Sequence, residues 1–398
     1  MLSEQSTPVV RATLPVVGAA IGEIAGVFYT RLFEDRPELL RDLFNRGNQA
    51  NGEQQKALAG SIAAFAGLLV EHPESRPDAM LARIAHKHAS LGITSDQYKL
   101  VHQHLFAAIV EVLGDAVTPA VAAAWDEVYW LMANALIALE TRLYQESGGA
   151  EGGTWRPMEI VERREETSDT VSFLLRRTDG TPTGAFRPGQ YVSVQVQLPD
   201  GARQIRQYSL SGAPRDPYWR ITVKRVRAGA DPAGEVSSRL HEHARPGDTL
   251  TVSAPFGDLV LPAGDGPLLL ASAGIGVTPM LSMLHHLAAQ DPTRPVLVVH
   301  ADRTPADHPH REEQRRLVEA LPNARLHLWY EELATSAPGA SAGRADVGAL
   351  ELPDGVTAYL CGPLPFMRAV RGDLLYRGLP AHSVHYEVFG PDLWLGTE

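Results

Sequence analysis

Residues 267–290 read PLLLASAGIGVTPMLSMLHHLAAQ, and the order of their parts selects the fold. A continuous apolar run comes first, as in a strand covered on both faces. Gly274 and Gly276 follow, and then a segment whose apolar residues recur at helical spacing. Thr278 is expected to cap that helix, with Pro279 at its first position, where a missing N–H costs nothing. The two glycines would let the backbone approach a pyrophosphate resting on the helix N-terminus. A tight strand-to-helix turn without a ligand has the same pattern. Pro279 also stands where the dinucleotide fingerprint carries its third Gly, so the motif alone leaves both readings open.

The same alternation continues downstream. PVLVVHA (295–301) precedes HREEQRRLVEAL (310–321), then come RLHLWY (325–330) and TAYLCGP (357–363), which precedes LPFMRAVRGDLL (364–375). Such βαβ units predict a parallel sheet. Cys361, Gly362 and Pro363 would end one strand at the carboxyl edge, where ligands of open α/β sheets bind. A buried free Cys is otherwise often a small packing residue. Upstream, MEIVERRE, TVSFLLRR, QYVSVQVQL, QIRQYSLSG, WRITVKRV and TLTVSAPFG are short, closely spaced strands, which predict an antiparallel β-barrel. Before SGGAEGG (147–153) every periodic segment is helical. Examples are Val17, Ile21, Ile24, Phe28, Leu32, and Val121, Trp125, Val128, Met132. TSDQ at 94–97 has the form of a capping box. The expected organisation is a multidomain chain: an all-α domain over 1–147, a linker over 148–153, a β-barrel over 154–262 and an α/β domain over 263–398.

Composition narrows the class. A chain of 398 residues supports two to three domains, and 44% apolar with 21% charged residues is globular. The longest apolar runs are expected to break before a bilayer is spanned. The N-terminus lacks a basic stretch followed by an apolar one, so no export signal is expected and a cytoplasmic location follows. A single cysteine excludes an internal disulfide or a cysteine-held cluster. A net charge of -11 without a basic block argues against nucleic acid or anionic membrane as partner. No obligatory protein partner is indicated.

Within the helical part, ARIAHKHASLGI (82–93) holds two histidines. At 100° per residue, His88 falls about 20° from Leu81 and joins the stripe of Leu81 and Ile84, whereas His86 falls about 140° away. His88 thus looks inward. An inward His is more often a satisfied core residue than a ligand, and its context must decide.

That context is supplied by motifs. RPGQYVSV (187–194), RQYSLS (206–211), GEVSSRLH (234–241), AGIGVTPM (273–280) and YLCGPLPFM (359–367) occur in the order found in ferredoxin-reductase-like flavin enzymes, which 154–398 resembles. The resemblance implies that Tyr191, Arg206, Tyr208, Ser209, Val236 and Ser237 bind FAD, with Arg206 on the diphosphate and the backbone and hydroxyl around Val236 and Ser237 capping the pyrophosphate. Glu235 stands where relatives often carry Gln. Gly274, Gly276, Thr278, Pro279, Cys361, Gly362 and Pro363 would bind NADH or NADPH. Asp302 and Arg303 pull in opposite directions on that choice.

Joined to a helical module with one inward His, this resembles the flavohaemoglobins across the whole chain. GVFYTRLFEDRPEL (26–39), LFNRGNQANGEQQKAL (43–58) and IAHKH carry the helical half of the resemblance. It implies a haem b held by His88, with Phe44 packing the haem, Lys87 turned to the reductase or a propionate, and Tyr98 and Glu140 behind the ligand. A carboxylate behind the imidazole raises its basicity. Tyr29 and Gln54 would face bound O2. In HYEVFGP (385–391), Glu387 and Phe389 would meet the flavin. The implied activity is that of a nitric oxide dioxygenase, turning nitric oxide and O2 into nitrate with electrons passed from NAD(P)H through FAD to haem. An oxygen-storing or sensing globin, and an NAD(P)H-dependent flavin or ferric reductase with an ancillary globin, are the competing classes.

Overall fold

A computed structural model describes residues 1–74, 77–229, 232–333 and 339–390. Positions 391–398 of the expected third domain, with Pro391 of HYEVFGP, lie outside the described residues. The chain forms two compact units, one of residues 1–155 with 195–206 and Gly390, the other of 156–194 with 207–389.

The first unit is built on α1 (Ser6–Asp35), α2 (Pro37–Asp42), α3 (Arg46–Ala50), α4 (Glu53–Glu71), α5 (Asp78–Leu91), α6 (Ser95–Leu113) and α7 (Pro119–Glu146). Local chemistry sets the starts. Asn45 caps α3 by accepting from the Gly47 N–H at 3.0 Å, and Thr118 Oγ1 accepts from the Val121 N–H at the head of α7. The expected capping box opens α6, where the Thr94 N–H donates to Gln97 Oε1 at 2.9 Å. Val17, Ile24, Phe28 and Leu32 of α1 meet Leu105 of α6 and Trp125, Val128 and Leu136 of α7 in one core. Each such side chain contributes about 1.5–3 kcal/mol when fully buried.

One helix bears on the expectation that no apolar run is long enough to span a bilayer. By length and composition α1 is apolar enough to cross a membrane, with an 18-residue window of mean hydropathy 1.5. Between Arg11 and Arg31 only Glu23 interrupts it. Its apolar stripe is spent on the helical core, where Ile24 and Leu32 are fully buried.

After α7 the glycine-rich stretch is tied down, since the Ser95 N–H donates to the Glu151 carboxylate. The segment 195–206 belongs to this unit through Gln204, whose buried amide nitrogen donates to the carbonyls of Leu40, Arg41 and Phe44 at 3.3, 3.1 and 3.1 Å. These are carbonyls at the end of α2 and at the corner that follows, where the helix leaves acceptors unmet.

Strands β1 (Trp155–Thr167), β2 (Thr170–Arg177), β3 (Tyr191–Gln197), β4 (Arg203–Ser209), β5 (Trp219–Lys224) and β6 (Thr249–Ser253) form a sheet of order β4-β3-β6-β1-β2-β5. The pairings β1 with β2 and β2 with β5 are antiparallel. Leu210 bridges Ile221 and curls the two ends of the sheet together, as the expected barrel requires. Helix α8 (Glu235–His243) precedes β6.

The second sheet holds β7 (Leu268–Ala273), β8 (Val296–Asp302), β9 (Ala324–Tyr330), β10 (Ala340–Ala342), β11 (Thr357–Cys361) and β12 (Val384–Glu387), in the order β10-β9-β8-β7-β11-β12 with parallel pairing. Helices α9 (Val277–Gln290), α10 (Arg311–Glu319) and α11 (Leu364–Tyr376) connect it. Leu268, Leu270, Val296 and Val298 pack on Leu284 and Leu287 of α9. The chain from β7 steps to β8, β9 and β10 on one side, while β11 and β12 lie on the other. The topological switch point therefore falls between β7 and β11.

The start of α9 differs from expectation. Gly274–Gly276 form a 3₁₀ turn that leads directly into Val277, so Thr278 lies inside the helix rather than at its cap. Its hydroxyl donates back to the Ile275 carbonyl at 3.0 Å instead of accepting a helix N–H. Pro279 falls at the third helical position, still within the first turn, where no acceptor exists for an N–H.

Candidate active site

His88 lies near the end of α5, which Gly92 closes in the left-handed conformation. Its Nδ1 is 2.8 Å from Glu140 Oε1 of α7 and 2.9 Å from the Tyr98 hydroxyl of α6. The Tyr98 O–H donates to the same Glu140 oxygen at 2.5 Å. With that phenol proton committed, Nδ1 must be the donor to the carboxylate, and the neutral ring is the Nδ1–H tautomer. The lone pair left on Nε2 is the one a metal takes. Burial and the neighbouring Glu140 charge push the Tyr98 phenol far up, so it stays a donor. The structure thus brings together His88, Tyr98 and Glu140. Lys87 Nζ donates to the Gly390 carbonyl at 2.9 Å.

Tyr29, 4% exposed, sits in an aromatic cluster with ring centroids 4.7 Å from Phe28, 5.6 Å from Phe33 and 5.7 Å from Phe44. Burial pushes its phenol up to about 12, partly offset by the side chains of Gln54 and Gln49 at its hydroxyl. Gln49 was not expected there. It lies in the last turn of α3, whereas Gln54 lies in the first turn of α4 beyond Gly52, whose left-handed backbone breaks any helical phase that could relate the two. Phe33, Phe44, Leu58, Ile62 and Ile84 belong to the core yet remain only partly buried. A surface of that kind, with the Nε2 lone pair of His88, fits a flat apolar macrocycle.

In the reductase part, the Ser209 hydroxyl is buried without a hydrogen-bond partner among the described residues, as expected of a group that meets a cofactor. Arg206 Nη1 donates to its own strand, at the Ile205 carbonyl (2.7 Å). Tyr208 follows it on β4, and Tyr191 starts β3, where its N–H donates to the Phe256 carbonyl at 2.8 Å. Before Tyr191, Gly189 is required, because a Cβ there would lie 2.0 Å from the Leu259 carbonyl oxygen. Val236 and Ser237 occupy the first turn of α8. The Ser237 hydroxyl is engaged locally, donating to the Gly234 carbonyl and accepting from the Val226 N–H, both at 3.1 Å. A phosphate at this turn would therefore be met by backbone N–H groups rather than by that hydroxyl.

At the switch point the two loops touch. A Cβ on Gly276 would stand 2.2 Å from the Cys361 carbonyl oxygen, so only glycine lets the GIG turn lie against the Cys361-Gly362-Pro363 turn. Gly274 starts this turn. Cys361 is fully buried and pairs in register with Glu387 of β12. Burial, then the Glu387 charge, push the thiol well up, so it is no ready nucleophile. Glu387 is itself buried, whereas Phe389 is 46% exposed. Asp302, at the end of β8, is turned inward: one oxygen accepts from the Arg303 N–H at 2.8 Å and the other lies 3.6 Å from His300 Nε2.

These features define a globin joined to a flavin- and dinucleotide-binding oxidoreductase module. Residues 26–136 match the Globin family, 157–260 the Oxidoreductase FAD-binding domain and 270–372 the Oxidoreductase NAD-binding domain. The chain belongs to the flavohemoprotein family. It is 42% identical to the flavohemoprotein of Rhizobium meliloti over 99% of this chain and 100% of that one. It is 44% identical to that of Bordetella pertussis over 98% and 99%. The crystal structure of a flavohemoglobin from Malassezia yamatoensis with bound FAD and heme superposes with a TM-score of 0.90 at 38% identity, covering 98% of this chain and 100% of that one. The FAD/NAD-binding domain of a nitric oxide dioxygenase from Vibrio cholerae is 35% identical, with a TM-score of 0.57 over 60% of this chain and all of that one. Haem, FAD and a nicotinamide dinucleotide are the cofactors this family membership brings, and the protein is an oxidoreductase.

Proposed function

We propose that the protein is a cytoplasmic nitric oxide dioxygenase driven by NAD(P)H. The overall reaction balances as two nitric oxide, two O2 and one NADH giving two nitrate, NAD⁺ and one proton. When bound, FAD would accept a hydride and release single electrons, and haem would hold and activate O2. The observation that carries the reading is the His88, Tyr98 and Glu140 triad, because a hydrogen-bonded carboxylate behind an imidazole suits oxygen activation rather than storage. Support also comes from the nitric oxide dioxygenase of Vibrio cholerae, whose reductase part resembles this one.

In this reading His88 supplies its Nε2 lone pair, while Glu140 holds the Nδ1 proton and Tyr98 fixes the carboxylate. Phe44 would pack against the macrocycle. Tyr29, neutral in its buried site, donates a hydrogen bond to a ligand in the distal cavity, and Gln54 adds an amide donor. Arg206 would pair with the flavin diphosphate once released from its own strand. The domain limits are assigned as haem over 1–147, FAD over 154–262 and dinucleotide over 263–398. Gly274, Gly276, Thr278, Pro279 and the Cys361-Gly362-Pro363 turn would form the dinucleotide cradle, with Glu387 and Phe389 beside the flavin. A test follows from the balance: two nitric oxide molecules should disappear per NADH in air. A ratio far from two, or NADH oxidation at the same rate without nitric oxide, would favour a flavin reductase.

A further inference from the structure

On the distal side, the buried Gln49 amide nitrogen lies at the Tyr29 hydroxyl without closing a hydrogen bond to it. Gln49 Nε2 is buried and makes no hydrogen bond among the described residues. Its other end is fixed, since Gln55 Nε2 donates to Gln49 Oε1 at 3.1 Å and reaches the Gln49 backbone carbonyl at 3.4 Å. An amide whose oxygen is taken by a donor can present only N–H groups on its remaining side, so the network assigns its orientation. Those N–H groups bear on the hydroxyl of Tyr29. A buried amide nitrogen left without an acceptor is costly, which makes such a donor a group held for use.

We propose that Gln49 is a positioning residue of the distal cavity: held by Gln55, its amide nitrogen closes on the Tyr29 oxygen and turns the phenol proton toward the ligand. A phenol has one proton and an oxygen with two lone pairs. If Gln49 donates to that oxygen, the Tyr29 proton cannot point back at Gln49. Chains of hydrogen bonds polarise one another, so the outgoing bond is also strengthened. This inference rests on the reading of Tyr29 as the distal donor and adds the residue that aims it.

The test uses the full-length protein loaded with haem and FAD, probed with carbon monoxide and with O2. Three variants are compared with the parent: Tyr29→Phe, Gln49→Leu and Gln49→Glu. Losing the aiming bond should speed O2 dissociation by about two- to tenfold and raise the C–O stretching frequency of the carbon monoxide adduct part of the way to the Tyr29→Phe value. Gln49→Glu keeps the shape but introduces an acceptor, which should draw the Tyr29 proton away and bring both readouts close to those of Tyr29→Phe. If Tyr29→Phe changes both readouts but neither Gln49 variant does, Gln49 has no part in aiming Tyr29 and the inference is overturned. If Tyr29→Phe itself changes neither, the distal reading of Tyr29 is wrong, and this inference falls with it. A change in Gln49→Leu with parent values in Gln49→Glu would show that only packing matters, and would also overturn it.

Discussion

Replacing Glu140 by Gln should raise the haem midpoint potential by about 40 to 60 mV, because the change leaves the shape and removes the charge. In the parent, one carboxylate oxygen receives the Tyr98 proton at 2.5 Å and the His88 Nδ1 proton at 2.8 Å, and Glu140 is only 3% exposed. A hydrogen bond to a charged group contributes about 1.5–3 kcal/mol and a neutral one about 0.5–1.5 kcal/mol, so the His88 bond weakens by roughly 1–1.5 kcal/mol. If that difference is felt mainly when the iron is ferric, it converts at about 59 mV per 1.4 kcal/mol for one electron. The sign follows from basicity: a less basic imidazole donates less to iron and stabilises the ferric state less. A spectroelectrochemical titration of the holoprotein reads this directly, with the flavin midpoint as internal control. A haem midpoint within about 10 mV of the parent, or below it, would refute the reasoning that the carboxylate tunes the ligand.

His88→Ala should give protein with FAD but little haem, measured from the two absorption spectra, with ferricyanide reduction retained. Tyr29→Phe should accelerate O2 dissociation about ten- to a hundredfold, the worth of one charge-assisted bond of about 1.5–3 kcal/mol. The Tyr29 phenol, raised from 10.0 to about 12, favours its neutral form in the fold. Its contribution to stability is therefore complete below about pH 10 and is lost as pH rises toward about 12, which denaturant melts of parent and Tyr29→Phe across that window will show. Gly276→Ala puts a methyl 2.2 Å from the Cys361 carbonyl oxygen, and an overpacking cost of about 1–3 kcal/mol should weaken NADH binding roughly five- to a hundredfold at unchanged FAD content.

Much of this fold is legible because period and punctuation agree. TVSFLLRR is β2 residue for residue, and the apolar run of 268–273 is β7, since a strand covered on both faces needs no alternation. The placement of His88 on the inward stripe also follows from helical period alone. What could not be read depends on geometry between distant segments. Thr278 looked like a cap because it precedes proline, but the 3₁₀ turn of Gly274–Gly276 starts the helix two residues earlier, at Val277. Gln204, within a strand next to Arg206, gave no sign that it satisfies carbonyls near Phe44. Asp302 and Arg303 looked like rivals for one ribose, yet Asp302 faces His300 while the Arg303 side chain is 61% exposed. The apolar character of α1 fits a membrane span and a core helix equally well, and only its packing separates them.

The central claim is that both atoms of one O2 end in the product. Nitrate formed from nitric oxide, NADH and ¹⁸O₂ by the holoprotein should carry two labelled oxygens beside the unlabelled one from nitric oxide, read by mass spectrometry. Nitrate with one label or none, or nitrite or nitrous oxide as the main product, would contradict the dioxygenase assignment.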